Sequence, residues 1–176
     1  GKARQLFKES GYGGEQVIVL QATNYAYMSN SEQLIAAQLR KIGVHATLAP
    51  SDWGGVVTRR ANQGPDDKGG WDIFVTGDSD YSHSDPIGLS TLSASGLTSW
   101  YGWPSNAAYE ALRHKWADAG TLAERKAIAR QMQGLSWDFV GTVLLGQFLS
   151  PAAYRRNVTG IIGIPEIIPF WNIEKT

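Results

Sequence analysis

The segment from Gln16 to Ala49 limits the fold more than any other part of the chain. QVIVLQA at Gln16–Ala22 is a short β-rich run, and Leu34, Ile35, Gln38, Leu39 and Ile42 follow at helical spacing up to Gly43. Val44–Ala49 is β-rich again. Ser29 and Glu32 stand at capping-box spacing, so a helix is predicted to open there, the Ser29 hydroxyl and the Glu32 carboxylate each satisfying a free amide. Strand, helix and strand joined by short connections form a βαβ unit. Its strands are therefore expected to run parallel, because the connecting helix returns the chain to the same end of the sheet.

The remaining segments extend this pattern. Lys2–Ser10 places Ala3, Leu6 and Phe7 on one helical side and stops at Gly11. Asp52 can cap a short helix over Trp53–Asn62, GPDDKGG at Gly64–Gly70 reads as a turn-rich loop, and WDIFVT at Trp71–Thr76 as a third strand. From Gly77 to Pro104 the chain lacks periodicity, and a loop that long in a compact domain is usually functional. Ser105 or Asn106 then caps a helix with Tyr109, Leu112 and Trp116 on its apolar side. Thr121 and Glu124 form a second capping box before Ile128, Met132 and Leu135, and TVLLGQFL at Thr142–Leu149 reads as a fourth strand. The expected fold is α/β: one mainly parallel or mixed sheet flanked by helices, with residues 1–176 as a single domain.

Composition removes several function classes. Sixteen Lys and Arg balance sixteen Asp and Glu, with no basic cluster, so no general field draws the chain to nucleic acid. The absence of cysteine excludes disulfides, thiolate metal ligation and thiol catalysis. No apolar run approaches the length of a membrane span. The chain opens at Gly1 on a helical pattern, without a charged and apolar leader, as expected of a processed chain or a piece of a longer one.

The chemistry concentrates in WDIFVTGDSDYSHSDPIGL, residues 71–89, which gathers Asp78, Asp80, His83 and Asp85 after the third predicted strand. An oxygen-ligand calcium loop starting at Asp78 would need glycine where His83 stands and a bidentate glutamate where Leu89 stands. His45 and His114 form no paired-histidine spacing with it, so no metal site is expected. There is no nucleophile elbow and no phosphate-cradling glycine loop. Asp78 and Asp80 could serve as acid and base in a hydrolase, but two aspartates so placed are more often solvated. Two readings stay open: a solvated loop, or a carboxylate anchor for an ammonium or guanidinium group flanked by aromatic side chains. Open α/β sheets place ligands at the carboxyl ends of their strands, where this stretch begins.

Taken in order, ARQLFKESGY, SEQLIAAQLRKIGV, SDWGGVVTRR, GGWDIFVTGDSDYSHSDP and AAYRRNVTGI with FWNIEK resemble one known family over nearly the whole chain. They are similar to the carboxyl-terminal lobe of the dipeptide- and oligopeptide-binding class of ABC-transporter solute-binding proteins, solute-binding family 5. The resemblance implies a periplasmic-binding-protein-like lobe without its amino-terminal partner lobe. It implies a periplasmic or extracellular receptor, lipid-tethered in some relatives, that captures a peptide or cationic solute for membrane permease subunits. It implies no enzyme activity, cofactor or nucleic-acid partner. A solute-sensing domain of a regulator is the alternative in another class.

Residue by residue, Gly77 matches the family glycine, and Asp80 with Tyr81 matches the segment whose aspartate pairs with the ligand ammonium. Asp78 stands where relatives carry Trp, and the loop before Asp85 and Pro86 is longer. Trp53 matches a Trp of relatives, and Trp103 is a further cleft candidate. The expected ligand-binding residues are thus Asp80, Asp78, Tyr81, Trp53 and Trp103. Dipeptide-specific relatives carry an arginine near the stretch matching Ala22–Tyr25, where this chain has no cation. A longer peptide or a non-peptide solute is therefore expected in preference to a free dipeptide.

Overall fold

The first strand, β1 (Gln16–Ala22), is the axis of the amino-terminal part of the chain. It pairs in parallel with β2 (His45–Ser51), in register from Gln16 opposite His45 to Ala22 opposite Ser51. On its other side it meets residues 72–73. The Leu20 amide donates to the Ile73 carbonyl at 2.8 Å, and the Asp72 and Ile73 amides donate to the Ile18 carbonyl at 3.0 and 3.1 Å. Sandwiched in this way, β1 is buried on both faces and reads as a continuous apolar run rather than an alternating one. Ile18, Leu20 and Ala22 pack with Met28, Val56 and Val75, while Val19 packs with Ala36, Val44 and Ala46.

These observations come from a computed structural model that describes residues 1–79, 81–164 and 169–176, and of His83 the backbone alone. The chain divides into two compact units, Gly1–Gly77 and Asp78–Thr176. In the first, α1 (Lys2–Glu9) precedes β1 and sends Phe7 into the Val19 cluster. Helix α2 (Ala26–Ile42) crosses from β1 to β2 and ends on Gly43 at φ 109, a left-handed turn that glycine enters without a side-chain clash. Helix α3 (Trp53–Arg59) is capped by Asp52, whose Oδ1 accepts from the Gly55 amide at 2.8 Å.

Three expectations are corrected here. The helix does not open at Ser29: it begins at Ala26, Ser29 lies inside it with its hydroxyl accepting from Gln21 Nε2, and Glu32 faces the core. The inward stripe is Met28, Glu32, Ile35, Ala36 and Leu39, at helical spacing, and it leaves Leu34 60% exposed. The third strand, residues 71–76, is reduced to a single parallel bridge between Val19 and Ile73. The run Thr142–Leu149 forms no strand. It has no ladder partner among the described residues, and Val143, Leu144, Phe148 and Leu149 are exposed.

The second unit is built on α4 (Ala107–Asp118) and α5 (Leu122–Phe139). Of the two candidate caps, Asn106 serves α4, its Oδ1 accepting from the Tyr109 amide at 3.0 Å. The Thr121–Glu124 capping box opens α5 as the spacing predicts. Tyr109, Ala119, Ile128 and Met132 enclose Ala94 between the two helices. Helix α4 also holds the long loop before it. Glu110 Oε1 accepts from the Ala94 amide at 2.6 Å, and Arg113 bonds Glu110 at 2.9 Å and donates to the Pro86 carbonyl at 3.0 Å. A two-residue antiparallel pair, β3 (Val158–Thr159) with β4 (Glu174–Lys175), closes the chain. The architecture is α/β with small sheets. Among the described residues no helix is long and apolar enough to cross a membrane.

Candidate functional site

In the first unit, the carboxyl ends of β1 and β2 carry an aromatic cluster. The chain leaves β1 through Thr23 and Asn24, which fasten it to the exit of β2. The Thr23 amide and hydroxyl both donate to the Ser51 carbonyl, at 2.8 and 2.9 Å, and Asn24 Oδ1 accepts from the Trp53 amide at 2.8 Å. That connection presents Tyr25 at 43% exposure and, two residues on in the first turn of α2, Tyr27 at 37%. The Tyr25 ring meets Trp53 edge-on at 6.0 Å and Tyr27 edge-on at 6.2 Å. Trp53 is half-buried, resting on the Leu20 cluster, with the Arg60 guanidinium over its ring at 5.4 Å. Trp53 is thus both a packing residue and the inner member of an exposed shelf.

Behind the shelf lies Glu32, fully buried, with Oε2 accepting from the Ala22 amide at 2.9 Å. Burial pushes its carboxyl above the usual range, against the pull of the Ala22 and Val75 amides. Burial likewise raises the Tyr27 phenol, with Tyr25 and Glu32 adding to it. Tyr27 also fills the space beside Gly77: a β-carbon there would fall 2.7 Å from its hydroxyl oxygen.

The other expected ligand residues belong to the second unit, apart from Asp80, which lies outside the described residues. Asp78 is exposed and accepts from the Ser79 amide at 2.8 Å. Tyr81, 65% exposed, opens a tight turn over Ser82–Ser84 and lines a depression of about 220 Å³ with Ser82, Ser84, Asp85 and Gly88. Asp85 Oδ1 is committed to that loop, accepting from the Ile87 and Gly88 amides at 2.7 Å each. Trp103 is half-buried at φ 47, a left-handed conformation that costs a bulky residue about 1–3 kcal/mol. Its amide closes a turn onto the Trp100 carbonyl at 2.9 Å. Tyr81 and Asp85 share the depression, and Asp78 and Trp103 do not line it. Sequence reasoning passed over Tyr25, Tyr27 and the inward Glu32. The available signal was position, since both tyrosines follow directly on the carboxyl end of a parallel strand.

Comparison with known proteins sets these features in a family. Residues 1–100 match the profile of bacterial extracellular solute-binding proteins, family 5 Middle. The chain is 51% identical, over 99% of its length, to a probable peptide ABC transporter periplasmic-binding protein (y4tO) of Sinorhizobium fredii, and spans about 33% of that protein. Among solved structures it is similar to a dipeptide binding protein from Pseudoalteromonas sp. SM9913 in complex with Met-Leu, with TM-score 0.69 and 20% identity. That match covers 99% of this chain and 35% of the other. It also resembles HbpA2 from Haemophilus parasuis, with TM-score 0.66 and 17% identity, covering 99% of this chain and 35% of that one. DppA from Helicobacter pylori, in complex with the peptide STSA, gives TM-score 0.63 at 21% identity over 80% of this chain and 27% of its own. The chain belongs to the family 5 extracellular solute-binding proteins, whose fold it shares.

Proposed function

We propose, from that family membership, that the chain is the carboxyl-terminal lobe of the substrate-binding component of a peptide ABC importer. In the whole protein it captures a peptide or peptide-like cationic solute against a second lobe and delivers it to membrane permease subunits. The observation that carries this reading is the exposed Tyr25–Tyr27–Trp53 shelf at the carboxyl edge of a parallel strand pair, where open α/β sheets take their ligands. Exposed aromatic faces suit apolar or cationic peptide side chains. The chain spans about a third of its relative, and the exposed apolar residues Val143, Leu144, Phe148 and Leu149 offer a surface for the remaining chain to cover. Periplasmic residence accords with the relative's description. A lipid tether in the full-length protein is part of the proposal.

Asp80 is the proposed anchor of the ligand ammonium, on the family pattern, with Asp78, Tyr81 and Trp103 as secondary contacts. The test is calorimetric titration of the full-length protein with alanyl-phenylalanyl-alanine and its N-acetylated form. Truncating one partner of a desolvated charge pair costs on the order of 2–5 kcal/mol. Acetylation, or Asp80→Ala with the free peptide, should therefore weaken binding at least tenfold. Equal affinity for both forms removes the ammonium anchor, and no binding of either overturns the peptide reading.

A further inference from the structure

Arg60 closes α3, and its side chain reaches back toward the first residue of that helix. The guanidinium lies over the Trp53 ring at 5.4 Å and over the Phe74 ring at 5.8 Å. Its backbone is held as well, since the Trp71 indole N–H donates to the Arg60 carbonyl at 3.1 Å. Trp53 and Phe74 both pack on the core of Ile18, Leu20 and Val56, so the guanidinium occupies a slot between two rings of the first unit. A methionine or leucine would fill such a slot without the cost of withdrawing a charge from water. What arginine adds there is a permanent positive charge, half-buried and so screened less than an exposed one. The carboxylates on the surrounding elements are turned to backbone amides, Asp52 to Gly55, Asp72 to Ile18 and Glu32 to Ala22.

That charge bears on what Trp53 can bind. An aromatic ring attracts a cation through the negative potential of its π face. With a guanidinium already over the Trp53 ring, a second cation brought to the shelf meets a depleted π potential and the repulsion of a like charge. A neutral aromatic or aliphatic side chain meets no such repulsion, and keeps its contact with Trp53 and Tyr25, whose rings stand edge-on at 6.0 Å. We propose that Arg60 is a specificity-determining residue of the shelf: its charge beside Trp53 ranks aromatic and apolar peptide side chains above basic ones. This preference rests on the function proposed above, whereas the charge beside the ring does not.

The test is calorimetric titration of the full-length protein with alanyl-phenylalanyl-alanine and alanyl-lysyl-alanine, which share their termini and differ in one side chain. The phenylalanine peptide should bind more tightly to the unmodified protein. Arg60→Met keeps an apolar stem but removes the charge, and should lower the ratio of the two affinities about fivefold, the order of one cation–π contact. Arg60→Lys keeps the charge and should keep most of the ratio, although an ammonium stacks less well than a guanidinium. Tighter binding of the lysine peptide to the unmodified protein overturns the proposal, as does an unchanged ratio in Arg60→Met. An equal fall in both variants also overturns it, since that marks packing rather than charge. Should Arg60→Met fail to fold, Arg60→Gln takes its place. Should the unmodified protein bind neither tripeptide, the functional reading fails, and ionic quenching of Trp53 emission, taken as the difference from Trp53→Phe, decides on the charge alone. Caesium quenching is then expected to gain on iodide quenching in Arg60→Met, and an unchanged balance between the two ions overturns the charge beside the ring.

Discussion

Replacing Gly77 by alanine perturbs the candidate edge at one defined point. The new β-carbon would stand 2.7 Å from the Tyr27 hydroxyl oxygen and 3.2 and 3.3 Å from two ring carbons. The first distance is closer than side chains approach, so the tyrosine must move. Overpacking of this kind costs about 1–3 kcal/mol. The lower unfolded-chain entropy of alanine returns about 0.4–1 kcal/mol, which leaves a net loss of about 1 kcal/mol or somewhat more. Tyr27→Phe deletes the nearest atom and leaves ring contacts that a shift of a few tenths of an ångström relieves. Gly77→Ala should therefore cost less in the Tyr27→Phe background, with a coupling of about 1 kcal/mol in a double-mutant cycle. Urea denaturation of the full-length protein and its three variants measures this directly. Because Tyr27 meets Tyr25 edge-on at 6.2 Å, Gly77→Ala alone should also weaken tripeptide binding. Additivity of the two substitutions within about 0.3–0.5 kcal/mol would refute the steric argument.

Other perturbations separate the core from the surface and the caps. Leu20→Ala, at a fully buried position of β1, should cost about 2–5 kcal/mol, whereas Leu34→Ala, at 60% exposure on α2, should stay within about 0.5 kcal/mol in the same urea assay. Asp52→Ala removes the α3 cap and should cost about 0.5–2 kcal/mol, with faster amide exchange at Gly55. Glu110 gives a pH signature. Burial pushes its carboxyl up, but the Ala94 amide and the Arg113 guanidinium outweigh that and hold it below its ordinary 4.5. A group lowered in the folded state stabilises fully above its unfolded pKa and loses that contribution as pH falls through the folded value. Glu110→Ala should thus cost about 1–3 kcal/mol near neutrality, and its difference from the unmodified protein should shrink as pH falls below 4.5. A difference that does not change with pH would contradict this.

Features fixed by neighbouring residues were legible in the sequence. The limits of β1, the end of α2 at Gly43, the Asp52 cap and the Thr121–Glu124 capping box each depend on a few adjacent side chains, and the structure shows them as read. Features fixed by distant residues were not. Ser29 and Glu32 have the same spacing as a capping box, yet Glu32 turns inward because Met28, Ile35, Ala36 and Leu39 put its position on the buried stripe. The run 142–149 has strand-forming residues but no ladder partner among those described, and pairing cannot be read from one strand alone. The family was legible from the order of several segments, each unremarkable by itself. Of the candidate shelf, Trp53 was singled out beforehand because it matches a Trp of relatives, and the structure sets it edge-on to Tyr25. Tyr25 and Tyr27 were passed over because isolated tyrosines carry no motif, and only their place after β1 marks them.

The central claim is that this chain belongs to a receptor that takes peptides. Native mass spectrometry of the full-length protein, mixed with a defined tripeptide library together with sugars and metal chelates, tests it most directly. One-to-one complexes with tripeptides are expected, enriched in those with an aromatic or basic side chain and lost on N-acetylation. Complexes formed only with the sugars or chelates, or no tripeptide complex at millimolar concentration, would contradict it.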